Sequence, residues 1–125
     1  MAILRIDWAT VNRMLNSPTG VVGRDCQKRA DRTAARARQF APGSMSERIA
    51  PPIVQRSFAG PSADITVRHH AVGFVINGTP PHQIRPRTKK ALRFTVGGRV
   101  VFARLVNHPG TDPDDFLNKA LPAAL

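Results

Sequence analysis

Tyrosine is absent from this 125-residue chain, cysteine and tryptophan occur once each, and acidic residues number only eight. Each shortage closes a class of explanation. The lone Cys26 cannot form an intramolecular disulfide and leaves no multi-cysteine zinc site. With so few aromatics, the base-stacking platforms of single-strand nucleic-acid binders are poorly supplied. No apolar run approaches the length of a membrane span, and MAILRIDWATV is too short and too soon polar for a secretory signal. The expectation is synthesis in a reducing, cytosolic setting with no membrane attachment. No internal repeat or low-complexity tract is visible.

What the chain has in excess is positive charge. Nineteen Lys and Arg give a formal net charge of +11. Such a balance favours a polyanionic neighbour, either nucleic acid or an acidic protein surface, and says nothing about fold. The length suits a single domain over residues 1–125 with a real but modest core.

Taken in order, Asp7 is a natural N-cap for a short helix that carries Trp8, Val11 and Leu15 on one face and ends near Asn16. Ser17-Pro18 offers a second start, with Pro18 at the first helical position and a long helix running to about Gln39 before Pro42-Gly43. On that helix Val22, Cys26, Ala30, Thr33, Ala37 and Phe40 recur as a narrow stripe whose small residues suit close approach to a sheet. Arg24, Lys28, Arg32 and Arg36 form an i, i+4 ladder flanked by Arg29 and Arg38. Like charges at that spacing repel by a few tenths of a kcal/mol per pair, on the order of 0.3 kcal/mol. The ladder is a solvated face or a contact for something anionic.

Between Pro42 and Pro61 the chain reads as irregular at both ends with an extended segment from about Ile49 to Phe58. Pro51 and Pro52 cannot donate to a ladder, so any strand there is an edge or begins after them. Ala63 to His69 alternates like a strand, and Ala71 to Ile76 is apolar and short enough to be either a strand or helical turns. Pro80 to Lys90 holds Pro80, Pro81 and Pro86 among Arg85, Arg87, Lys89 and Lys90, a stiff cationic loop that can project.

The clearest local signal is a hairpin. Leu92, Phe94 and Val96 alternate with Arg93 and Thr95, Gly97-Gly98 supplies a two-residue turn, and Arg99 to Val106 returns. That loop sets Val96 against Arg99, Phe94 against Val101 and Leu92 against Ala103. One face (Leu92, Phe94, Val96, Val101, Ala103, Leu105) reads as a core face. The other, with Arg93, Thr95, Val100, Phe102 and Arg104, is neither polar nor apolar. Scattered surface hydrophobes are ordinary; the sharper reading is a subunit interface. Asp112-Pro113 then opens a short C-terminal helix with Asp114 and Asp115 in its first turn. The fold class expected is α+β: a small antiparallel sheet, a long basic N-terminal helix packed on it and a short C-terminal helix.

Catalysis finds little support in these residues, and no enzyme, cofactor or metal is expected. Capping accounts for Asp112, Asp114 and Asp115. His69, His70, His82 and His108 lack ligand spacing, and His69 and His70 would point to opposite faces of a strand. Ser44 and Ser46 near Glu47 lack a base with an orienting acid, Cys26 lies on the apolar stripe, and Gly20 and Gly23 lack a phosphate-loop ending. Nucleic-acid binding draws on charge alone, without a helix-turn-helix, zinc-finger or aromatic RNA-binding signature.

Over most of its length the chain resembles the neck and tail-completion proteins of long-tailed bacteriophages, also described as minor tail or head-to-tail connector proteins. The resemblance is strongest in NGTPPHQIRP, in ALRF followed by GGRVVFARLV, and in NHPGT followed by DPDDFL. It also takes in the long basic helix ending at Ala41-Pro42 and the extended segment after it. Phe74 and Ile76 stand where the family often has a tyrosine and an acidic residue, and Gly43-Ser44-Met45 stands for its Thr-Gly-x-Leu. The kind of ring stays open among neck ring, stopper and tail terminator. The resemblance implies a small α+β fold assembled in the host cytoplasm into a ring of the virion between portal and tail tube, a hexamer being one candidate. Its implied partners are other copies of itself, adjacent neck, portal-side and tail-tube proteins, and genomic DNA in the channel as a further candidate. The mixed face of Arg93, Thr95, Val100, Phe102 and Arg104 would serve as an interface. The ladder of Arg24, Lys28, Arg32 and Arg36 and the loop of Arg85, Arg87, Lys89 and Lys90 would meet DNA or a partner. The alternative is a non-specific nucleic-acid-binding protein.

Overall fold

In a computed structural model describing residues 1–125, Asp7 opens the first helix as its side chain predicts. Its carboxylate accepts from the amides of Ala9 (3.1 Å) and Thr10 (3.3 Å), two of the donors a helix start leaves unpaired. Helix α1 spans Trp8–Asn16 and α2 spans Val21–Phe40. The second start differs from the expectation. Ser17 closes α1, its amide donating to the Arg13 carbonyl, and its own carbonyl accepts from Gly20, so a tight turn precedes α2. The end of α2 agrees, with Ala41 capping it and Gly43 beginning a 3-10 turn, Gly43–Arg48.

The architecture is α+β, with a long N-terminal helical region, small antiparallel sheets and a short C-terminal helix. Two compact units make it up: Met1–Val72 with Asp115–Leu125, and Gly73–Asp114. No helix is long and apolar enough to cross a membrane.

The first unit holds the core. Gly23, Ala30, Thr33, Ala34 and Ala37 are the buried positions of α2. The stripe is therefore turned from the expected one: Ala34 joins it, Cys26 is half-buried, and Val22 and Phe40 are exposed. Their smallness admits helix α4, Phe116–Ala120, and the terminal 3-10 turn, Leu121–Ala124, alongside α1 and a short strand. Phe116 is fully buried, and Ala120, Met45, Ile49 and Val54 complete the apolar interior. Burying one such phenylalanine contributes about 1.5–3 kcal/mol. Helix α4 starts later than expected, at Phe116; Asp115 is its cap, accepting from the Asn118 amide at 3.1 Å, and Asp112 to Asp114 lie outside it.

Residues 48–68 form an antiparallel ribbon. Ile49 bridges Val67, and β1 (Gln55–Ser57) pairs with β2 (Gly60–Ser62). The alternating run Ala63 to His69 is thus a strand only in part. Pro51 and Pro52 interrupt the ladder, and Gln27 of α2 covers the gap. Its Nε2 donates to the Pro52 carbonyl at 2.8 Å and its Oε1 accepts from the Val54 amide at 3.2 Å. One side-chain amide thereby replaces the backbone partner that two prolines preclude.

The second unit opens with helix α3, Val72–Asn77, which settles the open choice for Ala71 to Ile76. The rest is a ladder climbed in steps. Thr79 bridges Thr111, β3 (His82–Ile84) pairs with β6 (Val106–His108), and β4 (Leu92–Val96) pairs with β5 (Arg99–Ala103). The hairpin register is the expected one, Val96 opposite Arg99, Phe94 opposite Val101 and Leu92 opposite Ala103. Gly97 and Gly98 have φ of 56° and 77°, the left-handed pair that a primed two-residue turn needs. Two expectations change here. The return strand breaks after Ala103, and the Pro80–Lys90 loop contains β3, so only Arg85 to Ala91 bulge out unpaired.

Two expectations about stability follow. Gln27→Leu should lower unfolding free energy by about 2 kcal/mol, because the buried Val54 amide and the Pro52 carbonyl lose their partner together; urea denaturation reads this. Hydrogen bonds from Thr10, its hydroxyl first and then its amide, lower the Asp7 carboxyl below its ordinary 3.8. A depressed acid stabilises the fold above its unfolded value, and that contribution is lost as pH falls through the folded one. Helicity of α1 should therefore hold from pH 7 to about pH 4 and fall below it, whereas Asp7→Ala should show the reduced value at neutral pH, as circular dichroism would report.

Candidate subunit interface

From Gly73 to Asp114 no side chain is buried. The expected core face of the hairpin is covered only in part: Leu92, Phe94 and Ala103 are half-buried, and Val96, Val101 and Leu105 are exposed. The opposite face is more open still. Phe102 is 66% exposed and Val100 is 48% exposed, and Arg93, Thr95 and Arg104 also lie at the surface. The register places Arg93 opposite Phe102 and Thr95 opposite Val100, so four of the five expected interface residues form two cross-strand pairs. A two-stranded ribbon without a covered face is marginal in water.

What steadies this arm is its base. Gly78-Thr79 and Gly110-Thr111 face each other, with the Thr79 amide donating to the Thr111 carbonyl at 2.9 Å and the reverse bond at 3.0 Å. Both glycines are left-handed, at φ 71° and 89°. A Cβ on Gly78 would lie 2.6 Å from the Thr111 carbonyl oxygen, and a Cβ on Gly110 would collide with that of Thr79. The two Gly-Thr steps therefore form a reciprocal clasp that only glycine admits.

Above the clasp one face of β3–β6 carries His82, Ile84, Val106 and His108, and the other carries Gln83 and Asn107. The His82 and His108 rings stack at 5.0 Å. Each is held by its own backbone: His82 Nδ1 donates to the Pro80 carbonyl at 2.9 Å, and His108 Nδ1 accepts from the Gly110 amide at 3.0 Å. With Phe74, Pro80 and Ile84 these rings border a cavity of about 510 Å³, floored by Thr79 and Thr111. The Thr79 hydroxyl is buried without a hydrogen-bond partner. No group of three or more His, Cys, Asp or Glu is placed to hold a metal ion. His69 and His70 correct a smaller point. They lie outside any strand, His70 entering a turn, and their rings stack at 4.5 Å instead of pointing apart.

The basic residues divide. Arg32 Nε donates to the Ala123 carbonyl at 3.2 Å, and its Nη2 to the Leu125 backbone oxygen at 3.3 Å; Arg29 adds a bond to Ala124. These arginines fasten the terminal turn to α2. Arg36 donates to Gln39 at 2.8 Å and lies over the Phe40 ring at 4.7 Å. Arg24 and Lys28, one turn apart, remain at the surface of α2, beside Asp25. Arg87, Lys89 and Lys90 are exposed on the bulge of the second unit, and Arg85 reaches Gln83 at 3.5 Å. The eight expected contact residues thus fall in two separate units, and half of the α2 ladder already has structural work. For Arg32 the sequence carried no sign of that, because the Ala123 carbonyl is 91 residues away along the chain; the Arg36–Gln39 bond is local.

The chain matches no family model, no curated protein and no solved structure.

Gly110→Ala should test the clasp. The left-handed backbone alone costs an alanine about 1–2 kcal/mol, and the carbonyl collision adds to it. Amide exchange at Thr79 and Thr111 should accelerate at least about tenfold, while the helical signal of the first unit persists.

Proposed function

We propose that this chain is a structural virion protein that closes into a ring at the head–tail junction of a long-tailed bacteriophage, joining the portal side to the tail tube, without catalysis. One observation carries the reading: a 42-residue unit, Gly73–Asp114, fully encloses no side chain and exposes Phe74, Val96, Val100, Phe102 and Leu105. Units near 40 residues need a disulfide, a metal or association to persist, and this one has no cysteine and no metal cluster. Association with further copies is the support this reading assigns to it. Of the segments that carry the family resemblance, NGTPPHQIRP, ALRF with GGRVVFARLV, and NHPGT fall in this unit, while the basic helix and the end of DPDDFL belong to the first unit.

A ring of identical subunits requires two different lateral patches, because head-to-tail contacts never pair a surface with itself. The face of Arg93, Thr95, Val100, Phe102 and Arg104 supplies one. The bulge of Arg85, Arg87, Lys89 and Lys90 suits an acidic neighbour or channel DNA, as do Arg24 and Lys28. Repulsion among such clustered cations diminishes when an anion lies against them.

Sedimentation of the purified chain, alone and with neighbouring neck proteins, should show closed oligomers, and Val100→Asp with Phe102→Asp should return it to monomer. A chain that stays monomeric at high concentration and ignores those neighbours contradicts the ring. Duplex DNA titrated at two salt concentrations separates the alternative: a nucleic-acid binder shows strong affinity at low salt that falls steeply, with no need of oligomers.

A further inference from the structure

Two imidazoles stand beside the clasp, and their hydrogen bonds leave each ring a different nitrogen for a second proton. We propose that His108 makes the clasp acid-sensitive: at neutral pH its ring secures the Gly110 amide, and a proton taken up by that ring releases it. This property belongs to the clasp alone and holds whether or not copies of the chain form a ring.

The tautomers follow from the partners. His108 Nδ1 meets the Gly110 amide at 3.0 Å, a group that only donates. This nitrogen therefore carries the lone pair, and the hydrogen of the neutral ring lies on Nε2. His82 Nδ1 meets the Pro80 carbonyl at 2.9 Å, a group that only accepts. Here the hydrogen lies on Nδ1 and the lone pair on Nε2. Both partners adjoin the clasp, since Pro80 follows Thr79 and Gly110 precedes Thr111.

Acid acts on the two rings differently. Neutral His82 takes its second proton on Nε2 and keeps its bond to Pro80. Neutral His108 has only Nδ1 left to protonate, and an N–H there would face the N–H of Gly110. That bond is lost, and the ring turns away. Stacking adds to the effect, because rings with centroids 5.0 Å apart repel when both are charged. Gly110 is left-handed and packed against the Thr79 carbonyl, so release of its amide is felt at once by the reciprocal Thr79–Thr111 bonds.

No carboxylate in the recess is placed to hold a charged His108. Phe74, Thr79, Pro80, Ile84 and Thr111 line it with the two rings, and none of these five titrates. Helix α3 has no ionisable side chain. Along the flanking segments the first charged residues are Arg85 after β3, Arg104 before β6 and Asp112 after Thr111, all exposed. Asp114 lies beyond them, its amide donating to the Val75 carbonyl of α3.

The test uses the full chain and nuclear magnetic resonance. Ring-nitrogen shifts at about pH 8 should show the hydrogen on Nε2 of His108 and on Nδ1 of His82. Histidine changes charge between about pH 8 and pH 5. Over that interval the Gly110, Thr79 and Thr111 amides should lose protection at least about tenfold, each measured against an unstructured chain at the same pH. His108→Asn should abolish this loss, because an asparagine oxygen accepts from the amide two residues on and does not titrate. His82→Gln should retain it. A His108 ring with its hydrogen on Nδ1, or protection in the parent that ignores pH, overturns the proposal. So does an acid response that survives His108→Asn or vanishes in His82→Gln. Should His108→Asn leave these amides unprotected at both pH values, the parent decides. Its His108 Nδ1 must gain a proton in step with the loss of Gly110 protection, and separate transitions overturn the assignment.

Discussion

Two glycine-threonine steps set against each other hold the second unit together. With no side chain fully enclosed, Gly73–Asp114 draws only a reduced hydrophobic term from half-buried residues such as Ile84, Leu92, Phe94 and Val106 to set against chain entropy. The clasp provides another kind of restraint. Reciprocal amide–carbonyl bonds between Thr79 and Thr111 fix the register, and left-handed glycines on either side let the two backbones approach more closely than any Cβ would permit. The strands above it are then held at one end by the clasp and at the other by the Gly97-Gly98 turn. Such an arm is registered but uncovered, suited to being completed by another surface.

The first unit shows the contrasting solution. Its interior is narrow, built on alanines of α2 with a single large side chain, Phe116, fully enclosed. Small residues allow helices to approach, and the resulting gaps in backbone pairing are closed by side chains. Gln27 stands in for a strand beside Pro52 and Val54, while Arg29 and Arg32 satisfy carbonyls at the end of the terminal turn. Much of the positive charge on α2 is thus committed to holding structure. The cations left to meet a partner are fewer than the formal charge suggests; among them are Arg24 and Lys28 on one unit and, on the other, the Arg85–Lys90 bulge with Arg93 and Arg104 of the hairpin.

Several features were legible in the chain because their causes are local. Asp7 as a cap, the end of α2 before Pro42-Gly43 and the register of the Gly97-Gly98 hairpin depend on a few adjacent residues and on backbone sterics. Where the reading erred, hydrogen bonds or contacts that the local pattern does not specify decided. Ser17 looked like a helix start, yet its amide and carbonyl were already taken by Arg13 and Gly20. The face of Leu92, Phe94 and Val101 looked like a core because its pattern is apolar, but periodicity identifies which residues share a face and not what covers that face. His69 and His70 were assigned to a strand that the ribbon does not extend to them. The recess beside His82 and His108 left only one trace in the sequence, the doubled Gly-Thr step, whose pairing required the fold.

The sequence by itself determined the α+β class, the caps, the hairpin and the charge, since propensity, turn chemistry and composition act over short distances. Only the tertiary structure decided which arginines are bound to carbonyls, that the second unit has no interior, and that Gly78-Thr79 meets Gly110-Thr111. Those outcomes depend on contacts between residues 30 to 90 positions apart, and no local preference encodes which of many such encounters the folded chain will keep.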